Sequence, residues 1–161
     1  MSINLRSLLL AQMRDLHHGE VEMLGQLPRM ARAANARELR RRLEEIMRET
    51  QERRIRVEGN FYELGVKPTD EPGEKVVALV RSIDRLLRDL PLSTARDTAL
   101  IAAVRRWEQL QMSGYESARG MALELGLLAV ARRLDMSYKE QARGDERLSE
   151  LLPWVKKVMR A

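Results

Sequence analysis

Apolar residues recur every three or four positions along most of the chain, and this spacing predicts amphipathic α-helices almost throughout. In the first such stretch the apolar stripe consists of Leu5, Leu9, Met13, Leu16, Leu24, Leu27 and Ala31. Continuing the count past Leu16 reaches Glu20, a carboxylate where the pattern expects a core residue. Because an isolated buried carboxylate is strongly destabilising, Glu20 must be neutralised, paired or bound to a cation.

Turn-forming residues divide the periodic pattern into four long helices and one short helix. The predicted long helices span residues 3–34, 37–64, 94–125 and 127–152, and the predicted short helix spans residues 75–90. Pro28 is expected to kink the first helix. Ser93 or Thr94 is expected to cap the third long helix, and Gly126 to end it.

One connection is long, the Gly-, Pro- and Asp-rich segment between the second and third long helices. Short loops join antiparallel neighbours, whereas a long crossover lets the third helix start again in the direction of the second. We therefore predict an all-α, ferritin-like antiparallel four-helix bundle whose crossover carries the short extra helix. The length suits one domain, so residues 1–161 are assigned to a single domain, and the absence of a fixed-period repeat argues against a stacked helical array.

Composition excludes several kinds of site. The chain has no cysteine, which excludes disulfides and thiolate ligands and favours a reducing, cytoplasmic location. Its two histidines, His17 and His18, are too few for an imidazole-rich zinc site. No apolar run approaches the ~20 residues that cross a bilayer. No signal peptide, phosphate-binding loop or Ser–His–Asp arrangement is recognised.

The net charge of +5 is carried mostly by arginine. The basic clusters Arg37–Arg42 and Arg53–Arg56 are interleaved with acids, a pattern typical of solvated helix faces. Aromatic residues are scarce and do not alternate with these clusters. We therefore expect no nucleic-acid partner, and binding of DNA or an anionic membrane through the two clusters is kept as a further alternative.

Each long helix interrupts its apolar stripe near the middle with acidic or amide residues. Antiparallel packing brings the midpoints to one level, so these side chains are expected to converge: Glu20, Glu49, Glu52, Glu108, Gln111, Gln141 and Asp145. Clustered carboxylates repel one another, and a pair of iron or manganese ions would compensate them. Alternatively, they accept hydrogen bonds from Gln111 and Gln141 and pair with Arg53, one turn after Glu49.

Other residues are placed by the same periodicity. Glu52 and Glu140 lie slightly off the stripes and are expected to be solvated, which leaves Asp145 as the better acidic candidate on the fourth long helix. Tyr115 is expected in the core with a hydrogen-bonded hydroxyl. The inward stripe of the third long helix is expected to extend to Leu125. Two of its glycines are expected to permit close helix packing, namely Gly114 and Gly120.

The chain resembles the YciF-like branch of the ferritin-like superfamily, small bacterial proteins linked to stress responses. The resemblance covers nearly the whole chain and is carried by "LHHGEVEMLGQLPRMARAA", "ELRRRLEEIMRETQERRIRVEGNFYELGVKP", "RDTALIAAVRRWEQLQMSGYESARGMALELG" and "GDERLSEL". It implies a four-helix bundle with a crossover, a homodimer, a candidate two-metal carboxylate site and no settled activity. Residue types match at Glu20, Glu49, Glu108, Tyr115, Glu140 and Asp145.

Several positions depart from the family pattern. The family histidine ahead of Glu49 is here Ile46, and the family "EHYE" reads "EQLQ", which places Gln109 and Gln111 at the histidine and the second glutamate. The fourth long helix carries Gln141 in place of an acid. The loss of two anionic ligands, at Gln111 and Gln141, and of the imidazole ahead of Glu49 is expected to weaken divalent-metal binding severely.

Two main hypotheses follow. The first is a cytoplasmic, homodimeric, stress-associated structural protein, without enzymatic activity, whose metal site is partly lost. The second is a working iron or manganese protein (an oxidase, a peroxidase or an iron-handling subunit). Its metal ligands would be Glu20, Glu49, Glu108 and Asp145, completed by Glu52, Glu140 or His17. An interfacial, hydrogen-bonded role is the simpler interpretation of His17, which lies closer to the inward stripe than His18.

Overall fold

The computed structural model describes residues 4–68 and 73–155. These ranges contain five helices: α1 (Leu5–Ala33), α2 (Arg37–Glu63), α3 (Glu74–Asp89), α4 (Thr94–Glu124) and α5 (Leu128–Ser149). The four predicted long helices and the short helix in the crossover are thus confirmed, with bounds that differ by a few residues. α1 continues through Pro28, so this proline does not end the helix.

Local sequence explains where the helices begin and end. The Asn4 side chain caps α1 by accepting a hydrogen bond from the Ser7 N–H at 2.9 Å, and Ser93 caps α4 in the same way. After α2 and α4, Gly65 and Gly126 adopt φ values of 69° and 72°. Glycine takes this left-handed conformation at low cost, so the chain turns sharply at both points.

The four long helices form the bundle, and α3 lies against its outside. α1 packs most extensively against α2, and α4 against α5, while contacts of α1 with α4 and of α2 with α5 close the bundle. α3 contacts α4 and α1. An all-α, ferritin-like bundle with a helix in its crossover is therefore confirmed.

Two separate apolar clusters fill the bundle. The first, towards the end where α1 meets α2, includes Met23, Leu27 and Trp107, and the second, towards the opposite end, includes Met13 and Phe61. Neither cluster includes residues from the middle of any of the four long helices. Buried polar residues lie between the two clusters instead, and we call this part of the bundle the polar layer. Its members are Glu20, Thr50, Arg53, Glu108, Gln111, Ser137 and Gln141.

Two packing predictions on α4 are wrong. Leu125 is 36% exposed because it follows the last turn of α4 and lies beyond the apolar cluster. A Cβ atom on Gly120 would meet no atom within 4 Å, so this glycine permits no close contact. At Gly114, in contrast, a Cβ atom would lie 2.8 Å from Leu16 Cδ2, and the predicted close approach is confirmed.

Candidate functional site

The guanidinium of Arg53 lies at the centre of the polar layer, with 1% of the residue exposed. Its Nε donates to Glu20 Oε1 at 3.2 Å, its Nη1 to Glu140 Oε1 at 2.9 Å, and its Nη2 to Thr50 Oγ1 at 3.0 Å. The guanidinium carbon lies 5.8 Å from the centre of the Trp107 ring, a cation–π distance. Arg53 therefore connects α1, α2 and α5 by hydrogen bonds and contacts α4 through an aromatic ring.

Glu20 is fully buried and is held by donors from two helices. Besides Arg53, the Gln111 amide donates to Glu20 Oε1 at 3.0 Å and the Tyr115 hydroxyl at 2.8 Å. The same amide also donates to the carbonyl oxygen of Leu16 at 3.1 Å. The predicted network around Glu20 is therefore present, and the carboxylate at the core position is compensated by the chain itself.

Gly19 makes room for this arrangement, and the sequence patterns did not single it out. A Cβ atom at this position would lie 2.4 Å from Gln111 Oε1, which is closer than real Cβ contacts allow. The glycine therefore lets the Gln111 amide lie against α1 and reach Glu20. The signal that could have found it is a glycine next to the one acidic residue of the α1 stripe.

Glu140 is largely buried, although it was expected to be solvated. Its side chain is 15% exposed and pairs with both Arg53 and Arg56, whose Nη2 lies 3.1 Å from Glu140 Oε2. The off-stripe position was misleading because two long arginine side chains of α2 extend towards α5. Arg53 bonds Glu20 and Glu140, so the expected ion pair with Glu49, one turn earlier on α2, is not the one that forms.

A second group of charges meets at Gly144. A Cβ atom on this glycine would lie 3.5 Å from both Glu49 Oε2 and Glu108 Oε1 and 3.8 Å from Arg42 Nη2. The missing side chain thus leaves space in which carboxylates from α2 and α4 approach α5 together. Glu108 is 1% exposed, and within the described ranges its Oε2 has no hydrogen-bond partner.

The pKa of Glu108 is raised to about 8, mainly by burial and also by the nearby Asp145 carboxylate, with Arg53 and Arg42 opposing the change. Burial also raises the pKa of Glu49, with Arg42 and Arg53 opposing the change. Burial alone would lower the pKa of Arg53, but the surrounding carboxylates, Glu20 above all, raise it. Arg53 therefore stays charged, while the Glu108 carboxyl group is mostly protonated, and so uncharged, near neutral pH.

The remaining candidate acids lie at the margin of the polar layer. Asp145 pairs with Arg105 at 3.0 Å, and its side chain is 13% exposed. Glu52 is solvated, as expected, with its side chain 63% exposed and 3.6 Å from Arg56. Gln141 is buried, but neither amide atom bonds to any described residue, so the predicted hydrogen bonds from Gln141 are not formed.

Both histidines are buried, so the expectation that His18 lies farther from the interior is wrong. His17 Nε2 lies 3.8 Å from Glu58 Oε2, and the His17 ring contacts Phe61 edge-on with centroids 6.4 Å apart. These contacts join α1 to α2 beside the second apolar cluster. They agree with an interfacial histidine.

The arrangement does not fit a two-metal carboxylate site. The Arg53 guanidinium lies between Glu20 and Glu140, and Gln111 contributes a donor where a metal needs an anionic ligand. Across residues 4–68 and 73–155, no group of three or more histidine, aspartate or glutamate side chains is placed to hold a metal ion. The six acids assigned as ligands are therefore not brought to one point, and metal binding by them stays a prediction.

The comparisons place the chain in a family. Residues 4–159 match the family described as "Domain of unknown function (DUF892)". This chain belongs to that family. No curated protein matches it.

Solved structures confirm the fold. YcfI from Rhodopseudomonas palustris, described as a proposed structural protein, is 26% identical, with a TM-score of 0.88 over 92% of this chain and 95% of that one. The Escherichia coli stress protein YciF is 20% identical, with the same TM-score over 94% and 96%. A ferritin-like, diiron-carboxylate protein of Bacillus anthracis is 16% identical, with a TM-score of 0.71 over 94% and 99%. The chain thus has the fold of YciF and of a ferritin-like, diiron-carboxylate protein.

Among the helices of the described residues, none is long and apolar enough to cross a membrane.

Proposed function

We propose that this YciF-like protein is a structural, stress-associated bundle of the cytoplasm that acts as a homodimer and not as a metal enzyme. One observation carries the proposal: Oε1 of Glu20, the buried acid of α1, accepts hydrogen bonds from Arg53, Gln111 and Tyr115 of the same chain, while its Oε2 has no hydrogen-bond partner among the described residues. A catalytic two-metal centre needs such acids as free ligands. Here they hold four helices together.

The printed descriptions of similar structures support the same proposal. YcfI is described as a proposed structural protein and YciF as a stress protein. The homodimer and the location rest on the resemblance and on the cysteine-free composition. The Arg53–Arg56 cluster favours a nucleic-acid role less, because Arg53 and Arg56 direct their guanidinium groups inward to Glu140.

The test is elemental analysis combined with thermal unfolding. The protein is purified after growth with added iron or manganese, and its metal content and melting temperature are measured with and without a chelator. We expect much less than one metal ion per chain and an unchanged melting temperature. About two ions per chain, on the two-metal model, with a melting temperature that falls in chelator, would favour the iron or manganese protein instead.

The homodimer is tested by light scattering after gel filtration. The proposal requires a mass of about two chains that persists in chelator, since no metal takes part in the assembly. A monomer at micromolar concentration would contradict this part of the proposal.

A further inference from the structure

The surroundings of Arg53 match the shape of a guanidinium group. Each of the three guanidinium nitrogens donates to a different residue: Nε to Glu20, Nη1 to Glu140 and Nη2 to Thr50. These acceptors come from α1, α5 and α2, and Trp107 of α4 lies beneath the group. All four long helices of the bundle therefore contribute to one binding site for a flat cation.

A guanidinium fits this site better than other cations do. Its nitrogen donors spread in one plane, so acceptors around its rim are satisfied together, whereas an ammonium is a compact point charge. A divalent metal ion requires ligand oxygens that converge on one point at about 2.0–2.6 Å. Here the acceptor oxygens lie 2.9–3.2 Å from separate nitrogen atoms, so they are spread around the rim of a plane.

The charges in the site agree with this geometry. Glu20 and Glu140 supply two carboxylates at the rim; the Glu20 side chain is fully buried, and the Glu140 side chain is 15% exposed. Removing the Arg53 side chain would leave Glu20 without a cation, while Glu140 would keep its pair with Arg56, and a polar cavity would remain beside both acids. Such a cavity favours the entry of a soluble cation of matching shape.

We infer that the centre of the bundle is a binding site for a planar guanidinium cation, that Arg53 is its tethered occupant, and that the site is not one for a metal pair. This inference goes beyond the proposed function, because it names the class of cation that the polar layer binds. It does not depend on the role of the protein in the cell. It also explains why the polar layer does not fit a two-metal carboxylate site: the positive charge that compensates the acids belongs to a side chain of the protein.

Chemical complementation tests the inference. In the Arg53→Ala variant, alanine keeps Cβ, and ethylguanidinium supplies the missing Cγ, Cδ and guanidinium atoms. Melting temperatures are measured for the wild type, for Arg53→Ala and for the control Arg56→Ala, whose removed guanidinium is partly exposed but binds the same Glu140. Each is titrated with ethylguanidinium, ethylammonium and Mn²⁺ at matched, non-denaturing ionic strength.

We expect ethylguanidinium at several times its dissociation constant to raise the melting temperature of Arg53→Ala by roughly 2–4 °C. Ethylammonium and Mn²⁺ should raise it less, and the wild type and Arg56→Ala should not respond. Equal or greater stabilisation by ethylammonium or Mn²⁺ would overturn the guanidinium assignment. So would a folded Arg53→Ala that responds to none of the three.

If Arg53→Ala does not fold, Arg53→Lys decides the question. Lysine keeps the positive charge, but its ammonium group cannot donate to three separated acceptors at once. The melting temperature of Arg53→Lys should therefore be lower than that of the wild type, and an equal melting temperature would overturn the inference. The result is separable from the proposed function. Metal bound outside the polar layer of the wild type would contradict that proposal alone, whereas a metal pair within the polar layer would contradict this inference as well.

Discussion

The apolar ends of the bundle and its polar layer are built on different principles. At the ends, Leu27 or Phe61 is fully buried among apolar neighbours, and stability comes from area removed from water. In the polar layer, Arg53 and Glu20 are equally buried, but each depends on specific partners on other helices. The ends tolerate exchange of one apolar residue for another, whereas Arg53 and Glu20 depend on the specific residues that bond them.

The largest expected effect comes from breaking the central ion pair on one side. Arg53→Met keeps most of the side-chain volume but leaves Glu20 buried without its cation, and we expect a loss of about 3–5 kcal/mol in the free energy of unfolding. Denaturant unfolding at pH 7 measures it. The double variant Glu20→Gln/Arg53→Met should recover most of this loss, because glutamine still accepts from Tyr115; a double variant as unstable as the single one would contradict the ion-pair account.

A slightly smaller loss is expected at an apolar end. Leu27→Ala removes buried methyl groups from the first apolar cluster and should cost about 2–4 kcal/mol. Unlike the loss in Arg53→Met, this loss should be independent of pH and salt, which the same denaturant titrations at two pH values and two salt concentrations measure. A marked pH dependence in Leu27→Ala would show that the two regions are not separate in the way we describe.

The third prediction concerns pH. Because the folded pKa of Glu108 is about 8 and lies above its unfolded value, the folded state binds more protons over the interval between them. The stability it contributes is complete below the unfolded pKa and is lost as pH rises through about 8. The slope should approach about 1.4 kcal/mol per pH unit.

Denaturant unfolding of the wild type and of Glu108→Gln between pH 5 and 9, roughly spanning the two pKa values, measures this slope. Glutamine does not titrate, so the decline should be much shallower in the variant. Parallel pH profiles for the two proteins would show that Glu108 does not carry the effect.

The smallest effect compares two glycines. In Gly19→Ala the new Cβ atom would collide with Gln111, which must move away from Glu20, and we expect a loss of about 1–3 kcal/mol. Gly120→Ala is the matched control, because no atom lies within 4 Å of the new methyl group. Alanine is the better helix former, so this control should gain about 0.5–1 kcal/mol. If thermal unfolding showed that both substitutions change the stability in the same direction, the role of Gly19 would be contradicted.

The sequence predicted the apolar ends more completely than the polar layer. Periodicity located every helix and the crossover, because burial of an apolar stripe follows directly from residue spacing. It also correctly predicted that Glu20, Glu108 and Gln111 lie inside the bundle, and it indicated Arg53 as a cation that could compensate the acids. It did not find which acids Arg53 pairs with, because a long, flexible side chain can reach a neighbouring helix as easily as its own.

Glycines were harder to judge from spacing. Gly114 was correctly expected to allow close packing, but Gly120 has open space, and Gly19 and Gly144 were not singled out at all. The difference lies in what each glycine faces on another helix. A pattern along one helix does not contain that information.

The central claim is that Glu20 and Glu140 are compensated by the guanidinium of Arg53. A high-resolution crystal structure of protein grown with added iron and manganese, with anomalous data at both absorption edges, tests it most directly. The account predicts planar density for Arg53 within hydrogen-bond distance of Glu20, Glu140 and Thr50, and no anomalous peak in the polar layer. An anomalous peak bonded to Glu20 or Glu108, with Arg53 turned away, would contradict it.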